Sequence, residues 1–190
     1  MKTAKIISYL FVPPVMNVIL FLFYAYRFGK QTDTFGTELT IALTFGLILP
    51  IIVFVILRKK GKIVNDDATI KEERTIPYII GVIFCVIAAY LTYKTGSQKT
   101  VYMMWLIYAV NSIVLIIINH YWKISAHLLG ASMPFAGIFY FAANVIYIFI
   151  PLLLVIGWAR KKLQVHTIPQ IIAGAVLGFA LTYLELVWLI

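Results

Sequence analysis

Long apolar segments follow one another along almost the whole chain, separated by short polar loops. An α-helix needs about 20 consecutive apolar residues to cross a bilayer, and somewhat fewer in a compact bundle. Seven segments approach that length, at 6–28, 39–57, 77–93, 101–119, 127–142, 145–158 and 169–190. The sequence therefore predicts an all-α, polytopic transmembrane helix bundle of six to seven spans, with residues 1–190 forming a single integral membrane domain.

The fifth and sixth segments belong to one run of 33 residues, from Leu128 to Arg160. A single helix of that length, at about 1.5 Å per residue, would overshoot the bilayer. We therefore interpret the run as two helices divided by a tight turn near Asn144, with Pro134 and Pro151 as competing positions for a kink.

The composition excludes a soluble globule, a disordered chain and a disulfide-stapled domain. Hydrophobic residues make up 63% of the chain and charged residues 12%, against about 45–50% and about 25% in soluble domains. Cys85 is the single cysteine, so no disulfide can form within the chain. The net charge of +9 has no domain-sized polar surface to occupy. We assign it to loops beside membrane lipids and expect no nucleic-acid partner; the oligomeric state stays open.

Lysine and arginine are unevenly distributed between the two ends of the predicted spans. With seven spans, the N-terminus and the loops at 58–76, 120–126 and 159–168 share one side. That side carries twelve cations: Lys2, Lys5, Arg58, Lys59, Lys60, Lys62, Lys71, Arg74, Lys123, Arg160, Lys161 and Lys162. The other side carries four: Arg27, Lys30, Lys94 and Lys99. The positive-inside rule then predicts that the first side faces the cytoplasm, in an integral protein of a bacterial or archaeal cytoplasmic membrane.

Three polar segments on this predicted cytoplasmic side combine cations with histidine or hydroxyl groups. They are Lys71–Pro77, Lys123–His127 and Arg160–Gln170, and a pair of predicted helices separates each from the next. Arginine and lysine bind phosphate oxygens, while a serine hydroxyl and the N–H groups at a helix start add neutral donors. One histidine can attack phosphorus while another protonates the leaving alkoxide. The set predicts phosphate chemistry at one membrane face and calls for no metal and no cofactor.

These segments resemble the three signatures of the type 2 phosphatidic acid phosphatase superfamily. Ala159-Arg160, five residues, His166, three residues and Gln170 reproduce the spacing of the third signature, S-R-x5-H-x3-D. Ile124-Ser125-Ala126-His127 is similar to the second signature, P-S-G-H, and Lys71 to Pro77 resembles the first, K-x6-R-P, in a weaker form. The order of the matches extends the resemblance over residues 58–190.

The resemblance implies an integral membrane lipid phosphatase. It would hydrolyse a phosphomonoester or diphosphate of a polyprenyl lipid or a glycerolipid, without a metal ion. By motif position, His166 is the nucleophile that forms a phosphohistidine, and His127 is the general acid. The phosphoryl oxygens would be held by Arg160, Ser125, Arg74 and Lys71. Lys123, just before the second signature, is a further candidate cation.

Gln170 is the main departure from the family pattern, which has an acid there to orient the nucleophilic histidine. Its side-chain oxygen can accept the imidazole N–H and fix the tautomer, but it brings no charge to stabilise an imidazolium. Ile124, Ala126 and Ala159 replace Pro, Gly and Ser, and Arg74 stands three residues before the proline instead of one. Both histidines and Arg160 are retained, so the sequence predicts an active enzyme.

Two other interpretations stay open. The same cations could belong to a non-catalytic binder or transporter of an anionic lipid, in which Gln170 marks a degenerate phosphatase site. The chain could also be a small multi-pass scaffold with no ligand.

Three further features bear on the arrangement. Four residues recur at intervals of four positions: His166, Gln170, Gly174 and Gly178. The two glycines predict close approach of a neighbouring helix. Glu185 lies about 22 Å along a helix from Gln170, so we place it at the opposite interface. The adjacent Asp66 and Asp67 are interpreted as solvated loop residues, with a metal site as the less favoured alternative.

Overall fold

The computed structural model describes residues 1–65 and 68–190, and helices account for about four-fifths of that part of the chain. The Asp66–Asp67 pair lies outside the described residues. Within the described residues, nine α-helices follow in order: α1 (Lys2–Leu10), α2 (Pro13–Tyr24), α3 (Phe35–Leu43), α4 (Leu49–Lys59), α5 (Thr75–Lys94), α6 (Lys99–Tyr121), α7 (Ala126–Phe139), α8 (Ile146–Lys162) and α9 (Ile168–Leu189). A π-helical turn, Ala25–Gly29, extends α2, and another, Thr44–Ile48, joins α3 to α4. Short 3₁₀ turns, Glu72–Arg74 and Ala143–Val145, precede α5 and α8.

In the part of the chain that the structure describes, five continuous helical stretches are long and apolar enough to cross a membrane, which makes the chain an integral membrane protein. They are Phe35–Lys59, Glu72–Lys94, Lys99–Tyr121, Ala143–Lys162 and Ile168–Leu189. The predicted helical bundle is thereby confirmed, with five candidate spans, or six if the bent pair formed by α1 and α2 is counted as one.

The predicted first span, 6–28, is not a single helix. The chain bends by 45° between α1 and the segment Pro13–Gly29. Pro13 and Pro14 begin α2. Neither has a backbone N–H, so α1 cannot continue into α2 with regular hydrogen bonds. Apolar length alone does not reveal such a break.

The 33-residue run divides into two helices as predicted. The helix α7 ends at Phe139, and α8 begins at Ile146 after a 3₁₀ turn that contains Asn144. Pro134 and Pro151 lie inside α7 and α8, which continue through them.

The short helix α7 forms the centre of the bundle. Its residues from Leu128 to Ile138 are all buried, and it packs most extensively against α9 and then α2. A Cβ atom added to Gly174 would lie 2.5 Å from the Ser125 carbonyl oxygen, and one added to Gly178 would lie 2.5 Å from that of Leu129. The predicted close packing at these two glycines is confirmed, and it fixes the start of α9 against the start of α7.

Candidate active site

The three polar segments meet at one end of the bundle. The N–H of Ser125 donates to the carbonyl oxygen of Gln170 at 3.2 Å, which joins the second segment to the third. Arg74 donates to the carbonyl oxygen of Ile124 at 3.4 Å, which joins the first segment to the second. The structure therefore brings the three segments together, as expected from their positions between the predicted spans.

His166 is held by Gln170 one helical turn later. Nδ1 of His166 lies 3.1 Å from Oε1 of Gln170, and the N–H of Thr167 donates to the same oxygen at 3.0 Å. The Thr167 donor identifies that atom as the amide oxygen, which only accepts, so Nδ1 of His166 carries the proton. The Nε2 atom is then left with a lone pair, which is the form a nucleophile requires.

Gln170 also caps α9. Its side chain and that of Thr167, the residue before the helix, form a reciprocal capping box at the start of α9. The residue that replaces the expected acid therefore has two roles, because one oxygen holds both the helix end and His166.

His166 is surrounded by cations. Burial is the largest cause of a fall in the pKa of His166 to about 3, and the charge of Arg74 comes next. Arg160 and Lys123 lower the pKa further, while the hydrogen bond to Gln170 acts in the opposite direction. His166 is therefore neutral at physiological pH.

Two buried guanidinium groups lie on either side of the site. Arg160, in the last turn of α8, is fully buried and donates to the hydroxyl oxygen of Ser8. Arg74 is 4% exposed, and its Nε donates to the carbonyl oxygen of Ala68 at 2.7 Å. Arg74 is also in hydrogen-bonding contact with the Tyr78 hydroxyl, which lies near Arg160 as well.

Ser125 stands at the start of α7 as its N-cap. Its hydroxyl oxygen accepts from the N–H of Leu128 at 3.5 Å, and the residue is fully buried. The first turn of α7 directs its N–H groups and the positive end of its dipole toward this end of the bundle. Both features favour an anion there.

His127, in the first turn of α7, contacts the N-terminal helix. Its Nε2 lies 3.3 Å from the backbone carbonyl oxygen of Ser8. A carbonyl oxygen only accepts, so Nε2 carries the proton. His127 thus presents an N–H donor to the Ser8 carbonyl oxygen.

The two candidate lysines occupy different places. Lys123 lines an open depression of about 330 Å³ together with Lys161, His166, Thr167 and Gln170. Lys71 lies at the edge of the site: its Nζ donates to the carbonyl oxygen of His120 at 2.6 Å, at the C-terminal end of α6. Its ammonium also lies 3.8 Å from the Glu72 carboxylate.

Among the described residues, Ser8 and Tyr78 contact the candidate catalytic groups although no sequence motif includes them. Ser8 lies 119 positions from His127 and 152 from Arg160, so no local pattern connects them. A weak signal exists in α1, where Ala4 and Ser8 are two small residues four positions apart and are its two buried residues.

Glu185 is bonded within the bundle, away from this end. Asn111 donates to its carboxylate at 2.9 Å and to Thr182 at 3.1 Å, a polar contact between α6 and α9. In residues 1–65 and 68–190, no group of three histidine, cysteine, aspartate or glutamate side chains is placed to hold a metal ion.

Comparison with family models, with curated proteins and with solved structures finds no match to this chain.

Proposed function

We propose that this protein is an integral membrane lipid phosphatase of the type 2 phosphatidic acid phosphatase kind, acting through a phosphohistidine at His166. The single observation that carries the proposal is the state of that residue. It is a neutral imidazole whose Nδ1–H is fixed by Gln170, so that Nε2 is free to attack, and it lies among the charges of Arg74, Arg160 and Lys123.

The proposed reaction needs two steps. Nε2 of His166 forms a bond to phosphorus as the bond to the leaving oxygen breaks, and protonated His127 gives its Nε2 proton to that oxygen. Neutral His127 then takes a proton from water, which attacks phosphorus and breaks the P–N bond. Arg160, Arg74 and the N–H groups of α7 stabilise the negative charge that spreads over the phosphoryl oxygens.

The substrate class follows from where the site lies. The polar groups are at one end of an apolar bundle, and the chain has no extramembrane domain among its described residues with which to recognise a large headgroup. A phosphate or diphosphate on a polyprenyl or glycerolipid chain suits that position. We place six to seven spans in the membrane and count α7 as a short crossing. The helix α6 ends at the site, α7 leads away from it, and α8 returns to it.

The first experiment is phosphate release by the purified protein in detergent with EDTA. Prenyl phosphates, prenyl diphosphates, phosphatidic acid and phosphatidylglycerophosphate are offered in parallel. We expect release from at least one of them, and its complete loss in His166→Ala. The matched control is His120→Ala, which removes a histidine of the same face whose ring packs on Tyr121, and it should retain activity.

The second histidine is tested by changing the leaving group. His127→Ala should slow release from a lipid phosphate by about 10²–10⁴-fold, the usual contribution of a general acid. It should slow release from an aryl phosphate much less, because a phenolate leaves without needing a proton. Equal losses on both substrates would contradict the role given to His127.

One observation favours a second candidate, a non-catalytic binder of anionic lipids. Gln170 is committed to capping α9 and brings no negative charge to His166. If the protein is a binder, the His166→Ala variant should still bind vesicles that contain phosphatidic acid. The wild-type protein should then release no phosphate above the buffer blank.

A further inference from the structure

The N-terminal helix α1 packs against α8 and is connected to the rest of the chain through one joint. The joint is Phe11–Val12, followed by the two prolines that begin α2. The chain just after the joint is fixed, because Pro13 packs closely on Gly130. A Cβ atom added to Gly130 would lie 2.7 Å from the Cβ of the proline. The start of α2 is thereby held against α7, while α1 extends from the joint toward α8 and the first turn of α7.

One residue of α1 supplies oxygen atoms to two groups of the candidate site. The backbone carbonyl oxygen of Ser8 faces Nε2 of His127, and its hydroxyl oxygen accepts from Arg160. In the proposed reaction, the leaving oxygen faces Nε2 of His127 and a non-bridging phosphoryl oxygen faces Arg160. Ser8 therefore occupies, with two oxygens of its own, the places that a bound phosphate would fill.

The open depression lined by Lys123 and His166 does not extend to all the groups that would hold the phosphate. Ser125 and Arg160 are 0% exposed and Arg74 is 4% exposed. A phosphate in the depression cannot reach Ser125 and Arg160 unless part of the protein moves. The helix α1 is suited to move, because Ala4 and Ser8 are its two buried residues and few apolar contacts would be lost.

We propose that α1 is an autoinhibitory lid that swings about Phe11–Val12 to admit the phosphate group, and that Ser8 holds it closed by imitating the oxygens of the substrate. This inference rests on the proposed function, since it takes the Arg160–His127 pair as the place where phosphate binds. An anion and Ser8 compete for the same donors, so the bound state is the open state.

The lid is tested by the distance between spin labels on α1 and α8. Labels are placed at Lys5→Cys and Lys162→Cys, both exposed positions, in a chain with Cys85→Ala so that no other thiol reacts. Saturating orthovanadate, a phosphate analogue, should lengthen the distance between the labels. An unchanged distance, with vanadate binding shown by calorimetry on the same sample, would overturn the lid and leave the proposed function standing.

Enzyme kinetics give a second test that separates a lid from a positioning residue. Ser8→Ala weakens the closed state, so the fraction of open protein rises and the apparent KM falls, by about tenfold, with kcat unchanged. Thr3→Ala, on the exposed face of the same helix, should change neither constant. A fall in kcat with unchanged KM would show that Ser8 positions the substrate, and would overturn the lid.

The two proposals fail in different ways. If the wild-type protein and Ser8→Ala both bind no vanadate and release no phosphate, the proposed function fails and the lid fails with it. If phosphate is released and the labels stay at one distance, only the lid fails.

Discussion

At the scale of single residues, the side-chain oxygen of Gln170 accepts two hydrogen bonds, from Thr167 and from His166. The first stabilises the start of α9, and the second fixes the imidazole tautomer. An aspartate at this position is shorter, so it would weaken the contact with Thr167. It is also charged, so it would strengthen the interaction with His166. Gln170 therefore supplies the geometry of a histidine–acid pair without its negative charge.

Gln170→Asp should therefore raise activity and lower stability. A carboxylate beside His166 raises the pKa of the imidazole and stabilises the cationic form in the transition state, and loss of the equivalent charge in serine proteases costs about 10⁴-fold. We expect phosphate release to rise by about tenfold or more, while loss of the cap on Thr167 costs about 0.5–2 kcal/mol. Steady-state kinetics and thermal unfolding measure the two effects. A folded variant with no gain in rate would show that Gln170 already supplies all that the histidine requires.

The depressed pKa of His166 makes stability depend on pH. The unfolded chain binds a proton on this residue near pH 6.5, and the folded chain binds it only near pH 3. Between these values the unfolded state holds more protons, so the contribution of His166 to stability falls as pH drops from about 6.5 toward 3. Thermal unfolding of the wild type from pH 7 to pH 4 should show this loss, and His166→Asn should reduce the slope.

Residues could be predicted from the sequence where local spacing determines the contact. His166 and Gln170 are four positions apart at a helix start, so their pairing follows from helix geometry. The convergence of Arg74, Ser125 and His166 follows from the order of loops and spans. Ser8 and Tyr78 could not be predicted, because their contacts depend on which helix faces meet and on the exact bend after α1.

At the scale of helices, apolar length predicted the bundle but missed the break between α1 and α2. The segment 6–28 contains enough apolar residues for a span, yet Pro13 and Pro14 divide it. The segment 127–142 becomes α7, which has 14 residues, because a helix buried on all sides inside the bundle need not match the thickness of the bilayer. Proline chemistry decides the break and packing decides the length of α7, and a hydropathy count gives neither.

The contact between α7 and α9 should be sensitive to a single methyl group. Gly174→Ala places a Cβ atom against the Ser125 carbonyl oxygen, so the two helices must separate. Overpacking of this kind costs about 1–3 kcal/mol, and it moves Ser125 away from Gln170, so activity should fall as well. The matched control is Gly81→Ala in α5, where nothing lies within 4 Å and the helix propensity of alanine is favourable. Thermal unfolding and phosphate release measure both variants; equal stability of the two would contradict close packing at Gly174.

At the scale of the whole molecule, the site and the excess of positive charge lie at the same end of the bundle. The helix α6 runs for 23 residues from Lys99 to Tyr121, about 34 Å at the usual rise, so Lys99 and the site are separated by the thickness of a membrane. Without the candidate phosphate ligands Lys71, Arg74, Lys123 and Arg160, the remaining cations still divide eight to four in favour of the site end. The candidate phosphate ligands are left out of that count, so the remaining charges indicate how the protein is oriented in the membrane. They predict a site that faces the cytoplasm. Under the proposed function, the protein would then act on newly made lipid phosphates, and not on carriers released outside the cell.

Cysteine accessibility in intact cells tests this orientation directly. Lys62 and Lys99 are both exposed loop-end residues at opposite ends of the bundle, so Lys62→Cys and Lys99→Cys differ in the side of the membrane that they report. The native Cys85 is buried within α5 and serves as the internal blank. A thiol reagent that does not cross membranes should label position 99 in intact cells and position 62 only after lysis. Labelling of position 62 in intact cells would reverse the orientation and make the substrate a lipid phosphate of the outer leaflet, with the same groups at the site. The excess of positive charge at the site end would then have to be explained by phosphate binding alone. In that case, neutralising Lys59, Lys60 and Lys62 together should lower lipid affinity without changing topology.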